Sequence, residues 1–179
     1  MITSYSILNK FTFEKKIKDL LVYKFLNSNN IKSIILGNTD NIIVDKNNLV
    51  KLSEIFDIEN SKSLELINCE EEENGICFVS RTSANNGVIA RIKQLDDLEP
   101  MPANAITVAL GGSVLSSFYQ EEPFYTSFHI ACLYPKTEMS KEEMLYYCAI
   151  IEHNKYRYNF GRQANKTLKN ILVPLITKV

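Results

Sequence analysis

Residues Gly75–Val88 read GICFVSRTSANNGV. Ile76–Val79 form a short apolar pulse of strand character, and it runs straight into Ser80–Asn86, all small or polar apart from one arginine and ending in two adjacent asparagines. Gly87 follows, and Asn-Gly is a strong local signal for a tight turn. The stretch therefore reads as a strand whose exit turns sharply. A turn alone does not need so many hydrogen-bonding side chains, so this exit is also a candidate for a surface that reads something polar.

Outward from that strand the same grammar repeats. LVKLSEIFDIEN is a short apolar segment, while ITVALGG and FYTSFHIACLYP each read as one strand, and turn residues follow at Gly111-Gly112 and Pro135. Next, MSKEEMLYYCAIIEHNKY is a helix, because Ser140 and Glu143 have the spacing of a capping box, with Met139 and Met144 placed to staple across it. The closing LKNILVPLI reads as extended and broken at Pro174. Before the β-rich middle, Phe13, Ile17, Leu20, Leu21 and Phe25 recur at helical steps, with KSIILG and NIIVD as β-like pieces after them. The expected class is α+β: a compact twisted β-sheet or partial barrel with packed helices. Residues 1–47 are expected to form a helix-and-strand lead-in and residues 48–179 the second domain.

The totals bound the function. A chain of 179 residues supports one well-buried core, and its apolar runs fall far short of a bilayer span. With no signal-peptide pattern at the N-terminus, the expected location is cytoplasmic, with no membrane partner. Cys69, Cys77, Cys132 and Cys148 form no C-x-x-C pair, so they read as buried reduced thiols and no metal site is expected. The net charge of −1 conceals a strong asymmetry: residues 48–100 hold eleven acidic and five basic side chains, whereas residues 155–179 hold six basic and none acidic. The run Glu70–Glu73 reads as a solvated loop. Phosphates respond to charge within about 8–10 Å, so the local sign outweighs the sum.

Catalytic motifs are missing from the sequence: there is no G-x-G-x-x-G, P-loop, H-E-x-x-H or G-x-S-x-G. Gly111-Gly112 permits close backbone approach to a phosphate, but a hairpin or bulge turn is the favoured reading of that dipeptide by itself. The segment NKYRYNFGRQANKTLKN interleaves Tyr156, Tyr158 and Phe160 with Lys155, Arg157, Arg162 and Lys166. Aromatic faces stack on bases, arginine and lysine neutralise phosphates, and amides such as Gln163 pair with base edges. A basic surface turn with Phe160 buried in the core is the plainer reading of the same segment.

The order of the pieces narrows the choice. LSEIFDIENSKSL, GICFVSRTSANNGV, ITVALGGSVLSSFYQEEPFYTSFHIACLYPK and MSKEEMLYYCAIIEHNKYRYNFGRQANKTLKNILVPL, in that sequence, resemble the target recognition domain of restriction-modification specificity subunits. The likeness is to the type I kind and to related domains fused to type II adenine methyltransferases, and it covers about residues 50–175. It implies a non-catalytic, DNA-binding module that recognises double-stranded DNA and directs a methyltransferase (modification) subunit, and with it a restriction subunit, to a site. The residues expected to contact nucleic acid are Arg81, Thr82, Asn85, Asn86, Ser116, Gln120, Tyr125, Lys155, Tyr156, Arg157, Arg162, Gln163 and Lys166. No bound cofactor is expected, because S-adenosylmethionine belongs to the partner in such systems. In that family a long helix then joins a second recognition domain. This chain is therefore expected to be a half-subunit, a lone recognition domain or a fragment, acting as a homodimer or paired with a second such domain. The competing expectation is a protein-docking or regulatory module derived from such a domain, with Ile17, Leu20, Leu21 and Phe25 as its docking face although core packing is the favoured reading of those four, or a fragment of a type II restriction-methylation enzyme.

Overall fold

The computed structural model describes residues 42–158 and 163–178. The chain divides into two compact units, one made of residues 1–50 with 173–179 and the other of residues 51–172. In the first, strand β1 (Ile42–Lys51) pairs with the final strand, β9 (Leu172–Lys178). Pro174 lies inside β9 rather than breaking it, as a two-stranded sheet leaves each strand an edge toward which a residue without an N–H can face. The expected lead-in helix around Phe13–Phe25 lies outside the described residues.

The second unit opens with a one-turn helix, α1 (Leu52–Ile55), which buries Leu52 and Ile55 and leads into β2 (Phe56–Asn60). Strands β3 (Glu71–Val79), β4 (Val88–Ile92), β5 (Ala105–Ala109), β6 (Ser117–Gln120), β7 (Phe124–Thr126) and β8 (Ile130–Pro135) follow, then helix α2 (Lys141–His153). They form two sheets. One is antiparallel with order β2-β8-β5-β6, and the other has order β4-β3-β7, with β3 antiparallel to β4 and parallel to β7.

Successive residues of β3 point to opposite faces of its sheet, and both faces are covered. Cys77 and Val79 pack with Ala105, Ala109, Ile130 and Cys132 of the four-stranded sheet. Phe78 instead joins Ile92 and Tyr125, under Leu64, Leu66, Leu95 and Leu98. The β3–β7 register places Phe78 beside Tyr125, which explains why both rings fall on that second face. At Gly75 a β-carbon would run into the carbonyl oxygen of Ile92, where the β3–β4 register also shifts. A side chain has no room at that bulge, hence glycine.

Helix α2 begins as its sequence demands. Ser140 Oγ accepts from the Glu143 amide at 3.3 Å, and the Ser140 amide donates to Glu143 Oε2 at 2.6 Å. Its buried face runs Met144, Tyr147, Cys148 and Ile151, and Tyr147 meets Phe56 edge-on at 5.2 Å between ring centres.

Two local expectations are corrected. FYTSFHIACLYP is not one strand: it divides into β7 and β8 around Ser127–His129, where His129 adopts φ +60°. No glycine, proline or asparagine marks that turn, so it left no sequence signal. Glu71 lies paired in β3 rather than in a loop, while Glu72 and Glu73 fall in the bulge between Glu71 and Ile76, and all three are exposed. No helix among the described residues is long and apolar enough to cross a membrane.

Candidate functional site

The exit of β3 is a closed loop. The Ser80 amide donates to the Gly87 carbonyl at 2.8 Å, and Asn85, Asn86 and Gly87 take φ of 50°, 53° and 79° in succession. Asparagine tolerates the left-handed region and glycine is at home there, so the NNG triplet forces the reversal. Within the loop Thr82 Oγ1 accepts from the Ala84 amide at 3.2 Å, and Asn85 Nδ2 donates to the Val88 carbonyl at 2.8 Å. Asn86 Nδ2 reaches across to the Tyr119 carbonyl at 3.1 Å, tying the loop to β6. Arg81 is exposed and forms no ion pair among the described residues.

The diglycine turn packs directly on this exit. Gly112 has φ +66°, and a β-carbon there would lie 3.4 Å from both Cβ and the carbonyl oxygen of Arg81. On Gly111 it would lie 3.7 Å from Gln163 Nε2 and 3.9 Å from Arg81 Nη1. Leu110 clamps two further segments, its amide donating to the His129 carbonyl at 2.8 Å and its carbonyl accepting from the Ala164 amide at 3.0 Å. The side chains of Ser127 and Ser80 also meet, at 3.1 Å. Four segments distant in sequence, around Arg81, Gly111, Ser127 and Gln163, therefore converge at one edge of the unit.

The basic aromatic segment adjoins that edge. Arg157, Tyr158, Gln163 and Thr167 line a cavity of about 540 Å³, so Gln163 is shared between the cavity and the diglycine turn. Arg157 lies over the Tyr156 ring, 5.5 Å from its centre, and its Nε donates to the Tyr156 hydroxyl at 3.0 Å. Tyr156 is 62% exposed, and Lys166 is exposed as well. Arg162 and Phe160 lie outside the described residues.

Several expected contact residues turn inward. Tyr125 is fully buried: its hydroxyl donates to the Leu98 carbonyl at 2.7 Å and accepts from the Leu95 amide at 3.1 Å. Gln120 is buried and donates to the Asn86 carbonyl at 3.0 Å and Thr107 Oγ1 at 3.1 Å. Buried Ser116 accepts from Lys155 Nζ at 3.0 Å, and that ammonium also pairs with the buried carboxylate of Glu152 at 2.9 Å. Ser116, Gln120 and Tyr125 thus face inward and spend their polar atoms inside the unit, unlike the exposed residues expected to make contacts. Lys155 is spent largely on neutralising Glu152, which would otherwise be a buried lone charge.

The thiols offer little chemistry. Burial pushes Cys132 up to about 12, with Glu59 adding to the shift, and burial likewise raises Cys148. Cys69 and Cys77 are partly exposed rather than buried, and desolvation raises both. A thiol held protonated is a poor nucleophile and metal ligand. Among the described residues no cluster of three or more histidine, cysteine or acidic side chains is arranged to hold a metal.

Comparison with known proteins agrees with this architecture. The specificity subunit S.BcgI of a type II restriction enzyme from Heyndrickxia coagulans is 27% identical over 139 residues, covering 72% of this chain and 40% of that subunit. The S subunit of a type I restriction-modification system from M. genitalium matches with a TM-score of 0.55 at 19% identity, over 78% of this chain and 36% of that one. The HsdS subunit of Thermoanaerobacter tengcongensis matches with a TM-score of 0.55 at 19% identity, over 72% of this chain and 32% of that one. This chain thus spans two fifths of the curated relative and about a third of each solved subunit, and the two structural likenesses establish the fold. Residues 44–175 match the family model described as the type I restriction modification DNA specificity domain, and the chain belongs to that family.

Proposed function

We propose that residues 51–172 recognise a short sequence of double-stranded DNA through the edge where the Arg81 loop, the diglycine turn and the 155–167 segment meet, and that they direct a partner methyltransferase to it. The observation carrying this reading is the convergence of Arg81, Gly111-Gly112 and Gln163 within van der Waals reach, in a chain belonging to a DNA specificity family. Arg81 is an exposed guanidinium with no ion pair among the described residues, suited to a guanine edge or a phosphate. Asn85 and Gln163 bring amides, and the Arg157–Tyr156 pair brings a cation held against an exposed aromatic face. Ser116 and Gln120 act one layer behind, holding Lys155 and the Asn86 turn, while Tyr125 ties down the 95–98 segment.

Catalysis, in this reading, rests on the partner, and the cofactor with it. The chain's share is affinity and sequence choice, each good bidentate base contact contributing about 1–3 kcal/mol of discrimination. The test is selection from a randomised duplex pool by the purified chain, alone and with an adenine methyltransferase subunit that co-purifies with it. Enrichment of one short motif supports the proposal. A pool that stays random under both conditions contradicts it.

A further inference from the structure

We infer that the Ser127–His129 turn is an additional reading element, with Phe128 making an apolar contact to the methyl group of a thymine in the major groove. The inference rests on the duplex-reading proposal and adds a residue and a base chemistry to it. Phe124, Tyr125 and Thr126, immediately before the turn, are fully buried, yet Phe128 is 41% exposed. Turn tips ordinarily select small polar residues, whereas this one carries a large aromatic.

The tip is also held rigidly. The Ser127 amide donates to the Val79 carbonyl at 2.9 Å, and its carbonyl accepts from Ser61 Oγ at 3.1 Å. Its hydroxyl meets that of Ser80 at 3.1 Å, and the His129 carbonyl is taken by Leu110. His129 sits at φ +60°, a conformation unfavourable for a non-glycine residue that persists only where its surroundings enforce it. These bonds join the turn that carries Phe128 to Ser80, next to Arg81, and to Leu110, next to Gly111.

The extent of exposure decides between two kinds of duplex contact. A wedge driven between base pairs must project almost its whole ring from the surface. More than half of Phe128 is covered, which suits a shallow contact with a groove edge, and thymine alone presents a methyl group there.

The experiment repeats the pool selection with wild type and Phe128→Ala, then replaces each thymine of the enriched motif by uracil and measures affinity for both proteins. At one thymine, loss of the methyl should weaken wild type about fourfold, the effect of one buried methyl-sized group, and leave Phe128→Ala unchanged. Phe128→Leu keeps an apolar tip and should retain part of that difference, which separates lost contact from a folding defect. Equal uracil effects on wild type and Phe128→Ala at every position, or a motif without thymine, overturn the assignment while leaving duplex recognition intact. Failure of wild type to enrich any motif overturns both.

Discussion

The two ends of β3 carry opposite chemistry. At its start Glu71–Glu73 are exposed, and the nearby cations are already engaged, Lys93 with Glu70 at 3.5 Å and Arg91 with Glu122 at 3.4 Å. At its exit Arg81 has no ion pair among the described residues and lies against the diglycine turn. Glu71 and Ile76 both pair with Ile92, so the start of the strand is bulged, and with a rise of about 3.3 Å per residue from Ile76 to Arg81 the acidic start and Arg81 lie on the order of 20 Å apart, about two screening lengths in physiological salt. A net charge of −1 therefore misstates what a phosphate meets at either end. The strand separates in space what the sum cancels on paper.

The largest expected effect lies near the acidic end and concerns folding. Gly75→Ala forces a β-carbon onto the Ile92 carbonyl, and urea denaturation should show a loss of about 3 kcal/mol or more, or no folded protein. Next is Arg81→Glu at the exit, which should weaken duplex affinity about 10- to 100-fold in a binding titration while leaving the melting temperature within a few degrees of wild type. A similar loss from reversing an acidic residue at the start of the strand would erase the distinction between the two ends.

Tyr125→Phe tests the supporting layer. Without the hydroxyl, the Leu98 carbonyl and the Leu95 amide lose a partner, and chemical denaturation should report about 1–2 kcal/mol less stability. Duplex affinity measured on the folded fraction should hardly change, since the ring is fully buried. The two glycines give the finest contrast. Gly112→Ala combines φ +66° with close contact to Arg81, so it should cost about 1 kcal/mol in a thermal melt and weaken binding severalfold. Gly111→Ala meets only ordinary contacts and should stay within about 0.5 kcal/mol of wild type.

The sequence made the scaffold legible where local chemistry has one solution. The Ser140–Glu143 capping box, the Asn85-Asn86-Gly87 reversal and the apolar pulse at Ile76–Val79 all appear where their residues put them. Legibility failed where pairing across the sheet decides the outcome. Tyr125 and Gln120 each carry a polar tip on an apolar stem, and whether such a residue faces a groove or the core depends on its β-register, which one chain's sequence does not carry. The Ser127–His129 turn carries no local signal for a related reason: hydrogen bonds with Val79, Ser61 and Leu110 impose it, not the residues of the turn. Burial of Glu152, and with it the diversion of Lys155, likewise depends on how α2 packs against the loop at Ser116 and Ser117.

The most direct test is the salt dependence of affinity for the enriched duplex, measured for wild type, Arg81→Glu and Glu72→Lys. The wild-type dissociation constant should rise steeply and linearly on logarithmic axes, Arg81→Glu should bind more weakly with a slope shallower by about one, and Glu72→Lys should stay within about twofold of wild type. A flat wild-type response, or a change at Glu72 as large as that at Arg81, would mean that the exit of β3 is not where this domain meets DNA.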